Sequence, residues 1–113
     1  MHEVGLMMQA LDQAEAHARE HGAETIHRMV LRVGKYSGAD ADALRLAFEA
    51  AAPGTRAASA ILEIEAIAAR CSCSRCHEEF EPAEAIFACP TCGMIARGLL
   101  RGDELELATL EVS

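Results

Sequence analysis

With 113 residues, the chain has room for one modest domain, or for a small domain carrying a metal-stapled insert. Ten Lys and Arg stand against eighteen Asp and Glu, a formal charge of -8, so the surface repels nucleic acid and anionic lipid. No window reaches the roughly 18 apolar residues of a membrane span. The N-terminus lacks the basic and apolar regions of a signal peptide, so a reducing cytoplasm is the expected compartment.

From Val4 the apolar positions Val4, Met7, Met8, Leu11, Ala14 and Ala18 follow the i, i+3, i+4, i+7 stripe of an amphipathic helix, stopped at Gly22. Thr25 to Val33 then alternates, with Met29, Leu31 and Val33 on one face and Arg28, Val30 and Arg32 on the other. That period predicts a strand, closed by Gly34. Leu44, Ala47, Phe48 and Ala51 predict a second helix, capped by Asp40 or Asp42 and ended by Pro53-Gly54. Leu62, Ile64 and Ala66 alternate with Glu63 and Glu65 in a second strand. In a final strand, Leu105, Leu107 and Thr109 alternate with Glu104, Glu106 and Ala108. No internal repeat is visible.

Between the last two strands lie Cys73-Ser-Arg-Cys76 and Cys89-Pro-Thr-Cys92, twelve residues apart. Two facing C-x2-C turns supply the four thiolates of a closed tetrahedral site, for which zinc is the default occupant. A closed site is structural. The plain alternative is two disulfides or four unrelated thiols. The predicted fold is therefore α/β: two helices packed on a small three-stranded sheet, with an inserted four-cysteine, zinc-ribbon-like module. Residues 1–69 and 98–113 form the body, since neither outer strand has enough partners alone, and residues 70–97 form the module. The insert cannot bury a core of its own and depends on metal to fold. Gly98 and Gly102 flank the return and are placed to act as hinges.

The chain opens Met1-His2-Glu3. The Met1 amine, the His2 amide nitrogen and the His2 imidazole can close two fused chelate rings, a nitrogen set favoured by Ni(II) and Cu(II). The alternative is an incidental histidine at a frayed terminus. Met1-His2-Glu3, the two cysteine pairs and the closing Gly102-Asp103-Glu104-Leu105-Glu106-Leu107 run occur together in this order. Val33-Gly34, Ala47-Phe48-Glu49 and Leu110-Glu111-Val112 accompany them. In these features the whole chain resembles the HypA/HybF family of nickel metallochaperones. The resemblance implies a non-catalytic carrier that takes Ni(II) on His2 with Glu3 in the same site, and that holds structural Zn(II) on Cys73, Cys76, Cys89 and Cys92. It further implies delivery for [NiFe]-hydrogenase maturation, with a HypB-like GTPase and the hydrogenase large subunit as partners. Service to urease, and a monomer or homodimer, stay open. Some members place an acidic residue near the nickel at what is here Asp40, which has an equally good account as a helix cap.

Two features depart from that pattern. Cys71 is a fifth cysteine, so a ligand choice involving it stays open, although the spacing favours Cys73 with Cys76. Met94 stands where a small polar residue is commoner. His77, next to Cys76, is a substitute ligand, an outer hydrogen-bond donor, or simply solvent-exposed. Two other function classes compete. His17-Ala18-Arg19-Glu20-His21 fits the H-x-x-E-H motif of zinc peptidases, but the chain is short for a third ligand and a cleft, and the five residues also close a helix. A four-cysteine ribbon can bind nucleic acid, yet residues 70–102 balance four Arg against four Glu and carry only Phe80 and Phe87 as aromatics. Gly34-Lys35 is no phosphate loop, so any nucleotide hydrolysis belongs to a separate protein.

Overall fold

The computed structural model describes residues 2–113. Helix α1 (His2–Glu20) buries Met7, Leu11, Ala14 and Ala18 of the predicted stripe and adds Ala10, but leaves Val4 and Met8 exposed. It begins ahead of the stripe, so that His2 already lies in the first helical turn. A Schellman turn ends the helix. The Gly22 amide donates to the Arg19 carbonyl at 3.1 Å and the Ala23 amide to the Ala18 carbonyl at 2.8 Å, with Gly22 at φ 66°. Helix α2 (Ala41–Ala51) resolves the choice of cap. Asp40 is extended, at φ -94° and ψ 124°, and its Oδ1 accepts the Asp42 amide at 3.1 Å.

Strand β1 (Ile26–Gly34) is central to a three-stranded sheet, parallel to β2 (Ile61–Ile67) and antiparallel to β5 (Leu105–Val112). Parallel pairing of β1 with β2 demands a crossover, and α2 supplies it. Met29, Leu31 and Val33 face the helices. There they join Met7, Leu11, Ile26, Leu44 and Phe48 in one core, which also takes in Leu62, Ile64, Leu105, Leu107, Leu110 and Val112. Met7, Ile26, Met29 and Leu44 are fully buried, each contributing roughly 1.5–3 kcal/mol by removal from water.

The last strand departs from simple alternation. Val30 pairs with Thr109, but Leu31 pairs with Leu107, leaving Ala108 as a bulge. The extra residue shifts the phase, so Leu110 and Val112 join Leu105 and Leu107 on the core side, whereas Thr109 pairs with Val30 and is exposed. On the outer face β1 sets Arg28 between Glu63 and Glu111, and Arg32 between Glu65 and Glu106.

The cysteine segment adds a small second sheet, β3 (Cys71–Ser72) against β4 (Glu79–Phe80). Cys71, Cys73, Cys89 and Phe80 form a separate buried cluster, with Phe87, Met94, Ala96 and Leu99 packed around it. The molecule is elongated, 54 × 28 × 17 Å, with a radius of gyration of 17.3 Å against roughly 13 Å for a compact domain of this length. No helix among the described residues is long and apolar enough to cross a membrane.

Where body and module meet, three backbone segments cross closely. A Cβ on Gly34 would lie 2.2 Å from the Gly102 carbonyl, and one on Gly102 would lie 2.6 Å from the Ala69 Cα. The Tyr36 amide donates to the Gly102 carbonyl at 2.7 Å, and Gly102 has φ 112°. Arg70 and Arg101 bridge just beyond, and the Tyr36 ring meets Phe87 of the module edge to face at 5.4 Å. Gly102 is thus a packed crossing point, not the hinge its sequence position implies. Gly98, with open space about it, is not so held.

Candidate metal centres

The two cysteine turns are built alike. Cys73 N–H donates to the Glu78 carbonyl at 2.9 Å and His77 N–H to the Cys73 carbonyl at 2.8 Å. Sixteen residues on, Cys89 N–H donates to Met94 and Gly93 N–H to Cys89, both at 2.8 Å. His77 and Gly93, each following the second cysteine, both take positive φ, 58° and 77°. This geometric repeat shares only its cysteines in sequence, which is why it is invisible there. His77 serves as the left-handed residue of the first turn, and its side chain is exposed.

The four sulfurs of Cys73, Cys76, Cys89 and Cys92 lie within 4.8 Å of one another. Cys73 Sγ stands 3.5 Å from Cys92 Sγ, and Cys89 Sγ 4.0 Å from Cys76 Sγ. A tetrahedron with metal–sulfur bonds of about 2.3 Å has edges of about 3.8 Å, so the cluster is the size of a metal–thiolate site. The donor set fits a soft or borderline cation. Amides of Cys92 and Thr91 draw the Cys89 thiol down to about 6, whereas its bond to Cys92 and burial push Cys76 up to about 12. Crowded thiolates repel, and a central cation is what lets all four ionise. The Cys71 sulfur is not part of this cluster. Its side chain is fully buried, and desolvation raises its thiol.

At the other end of the molecule, α1 and α2 bring their N-termini together. Glu3 Oε2 accepts the Asp40 amide at 3.3 Å and lies 3.6 Å from His2 Nδ1. Its own amide and that of Asp40 hold the Glu3 carboxyl below its ordinary range. His2 is exposed over 60% of its side chain. The structure thus makes His2, Glu3 and Asp40 neighbours, a relation that sequence separation hides, with the Asp40 carboxylate committed to its cap. Their ligand atoms do not form a compact three-membered cluster. The expected Met1 ligand lies outside the described residues.

The H-x-x-E-H residues span the last turn of α1 and the residue that follows it. His21 Nδ1 donates to the His17 carbonyl at 2.9 Å and the two rings lie 4.2 Å apart. Among the described residues no third ligand group converges with them.

A family model described as "Hydrogenase/urease nickel incorporation, metallochaperone, hypA" matches residues 1–112. The chain belongs to the HypA family. The hydrogenase maturation factor HypA of Picosynechococcus sp. is 39% identical over 112 residues, covering 99% of both chains. That of Desulfitobacterium hafniense is 38% identical, covering 99% of this chain and 98% of the relative. Two solution structures share the fold. The Ni metallochaperone HypA of Helicobacter pylori has a TM-score of 0.70 at 26% identity, covering 97% of this chain and 96% of that one. A second HypA structure has a TM-score of 0.75 at 28% identity, covering 100% and 97%. The likeness therefore extends over the α/β sheet-and-helix part and the cysteine segment alike. HypA proteins are nickel metallochaperones of hydrogenase maturation, and this chain is one of them.

Proposed function

We propose that this HypA protein captures Ni(II) at its N-terminus, on the Met1 amine, the His2 amide nitrogen and the His2 imidazole, and passes it on by ligand exchange for [NiFe]-hydrogenase maturation. The observation that carries this reading is the exposed His2 at the start of α1, beside Glu3 and Asp40. The first amides of a helix have no carbonyl acceptor within it, so the His2 nitrogen is free to give up its proton to solvent as a metal takes its place. The positive end of the α1 dipole opposes a cation there. Deprotonation of the amide and the nearby Glu3 and Asp40 carboxylates offset that cost. Glu3 supports the site by tethering the start of α1 to α2.

In the second part of the proposal Cys73, Cys76, Cys89 and Cys92 hold Zn(II), with residues 70–97 as a module that folds around it. Four thiolates leave no open position for a substrate, so the zinc is structural and the protein is a carrier, not an enzyme. Zinc is expected to be resident and nickel transient. The partners are a HypB-like GTPase and the hydrogenase large subunit in the cytoplasm. All the surplus charge lies outside residues 70–102, where six basic residues face fourteen acidic ones, so the body is the surface that attracts a basic docking face. Calorimetric titration with Ni(II) tests the carrier reading. Wild-type protein is expected to bind one equivalent tightly, and His2→Ala to lose that event while keeping its zinc. Tight binding that survives His2→Ala overturns it.

A further inference from the structure

The end of α1 away from His2 carries a pair of imidazoles that the carrier mechanism does not use. Fifteen residues along the helix put His17 roughly 22 Å from the N-terminal site. His21 Nδ1 lies 2.9 Å from the His17 carbonyl, an atom that can only accept, so Nδ1 bears the proton. The neutral His21 ring therefore presents a bare Nε2, the arrangement by which a carbonyl partner prepares an imidazole to bind metal. His17 is one helical turn earlier, exposed, with its ring centroid 4.2 Å from that of His21. Two imidazole nitrogens adjacent on one metal at about 2.0–2.1 Å stand roughly 3 Å apart, so the rings need only pivot to share an ion.

Two further features favour a cation at this place. The helix dipole is negative at this end, the reverse of its effect at His2, and the net charge of -8 adds a cation-attracting field. His17 and Glu20 also line a groove of about 490 Å³ between α1 and the bulged part of β5, with Gln13, Ala108 and Thr109. His21 lies outside this groove, so the groove gives open space beside His17, where water or an incoming ligand has room to approach.

We infer that His17 and His21 form a second, open transition-metal site, which takes Ni(II) or a similar borderline divalent cation through their Nε2 atoms. It is weaker than a chelate built into the chain terminus and is independent of it.

Paramagnetic broadening of imidazole resonances tests this. Ni(II) chloride is added to zinc-loaded His2→Ala protein, which lacks the proposed N-terminal chelate. The His17 and His21 signals are expected to broaden together at low equivalents while those of His27 and His77 stay sharp. His21→Ala should weaken the effect at His17 by roughly tenfold or more, as expected when one of two chelating donors is lost. His17→Ala, which removes only an exposed side chain, should do the same at His21. Sharp His17 and His21 signals under excess Ni(II), or broadening at His17 unchanged in His21→Ala, overturns the site. Because His2 is absent throughout, either result leaves the N-terminal proposal to its own titration.

Discussion

The body and the cysteine module are held together by different physics. The body buries Met7, Ile26, Met29 and Leu44 completely between two helices and a sheet, an apolar core able to stand alone. The module's buried side chains are mainly cysteines, with Phe80 and Pro82, and its sheet has two strands of two residues each. So few apolar contacts cannot offset the cost of ordering about 30 residues at 1–2 kcal/mol each. Charge divides in the same way: residues 70–102 are neutral by formal count, and the rest of the chain carries all -8. The lesson is a division of labour. On the proposed function, the body is expected to keep its shape without metal and to carry a labile one, whereas the module is expected to need its metal to fold.

The largest expected effect breaks the module and spares the body. Removing the metal with a chelator, or replacing Cys89 by Ala, should unfold the module in an all-or-none way, because structural zinc contributes an apparent ~10–16 kcal/mol. Amide exchange should rise across residues 70–97 while α1, α2 and β1 remain protected. Cys71→Ala should leave the metal content unchanged, since its sulfur stands apart from the four that converge. Next in size is the crossing point. Gly102→Ala adds a Cβ 2.6 Å from the Ala69 Cα at a backbone φ of 112°, and about 2–4 kcal/mol of lost stability should appear in thermal unfolding. Gly98→Ala, in open space, should change little.

That contrast between two glycines marks where the sequence stops being legible. Periodicity located both helices and all three main strands, because each buries one face on a simple repeat. The cysteine spacing likewise announced four converging sulfurs. The Ala108 bulge was hidden, since Thr109 fits the alternation of Leu105 and Leu107 until the pairing with β1 is known. Gly102 read as a hinge because the tight approach of Gly34 and Ala69 depends on strands far apart in the chain. At the N-terminus His2 and Glu3 were legible as a chemical motif. The Asp40 amide on Glu3 was not, because it depends on how α1 packs against α2.

Smaller effects sharpen the picture of the body. Glu15 accepts the Arg56 amide at 2.7 Å and its guanidinium at 2.6 Å, pinning the loop that follows α2. Glu15→Ala should cost about 1–2 kcal/mol in denaturant unfolding. The Arg56 amide and guanidinium also hold the Glu15 carboxyl below the usual carboxylate range. Since the folded value lies below the unfolded one, this stability is complete above the unfolded glutamate's ordinary value, about 4.3, and is lost as pH falls through the folded value. Thermal scans on the acid side should therefore show a shallower decline for Glu15→Gln than for wild type. Asp40→Ala removes the α2 cap and should cost about 1 kcal/mol. Smallest is Arg28→Ala. Its pairs with Glu63 and Glu111 are exposed to solvent, so the loss should be slight and fade with added salt.

The central claim is that nickel belongs to the body's first residues and zinc to the module, each separable from the other. Native mass spectrometry reads both metals on one chain. Two proteins are compared under the same Ni(II) titration, one starting at Met1 and one extended by a single residue ahead of it, which turns the Met1 amine into an amide. One zinc is expected in both, and a tightly held nickel only in the protein with the free Met1 amine. Equal first-equivalent nickel binding in the two would contradict the claim.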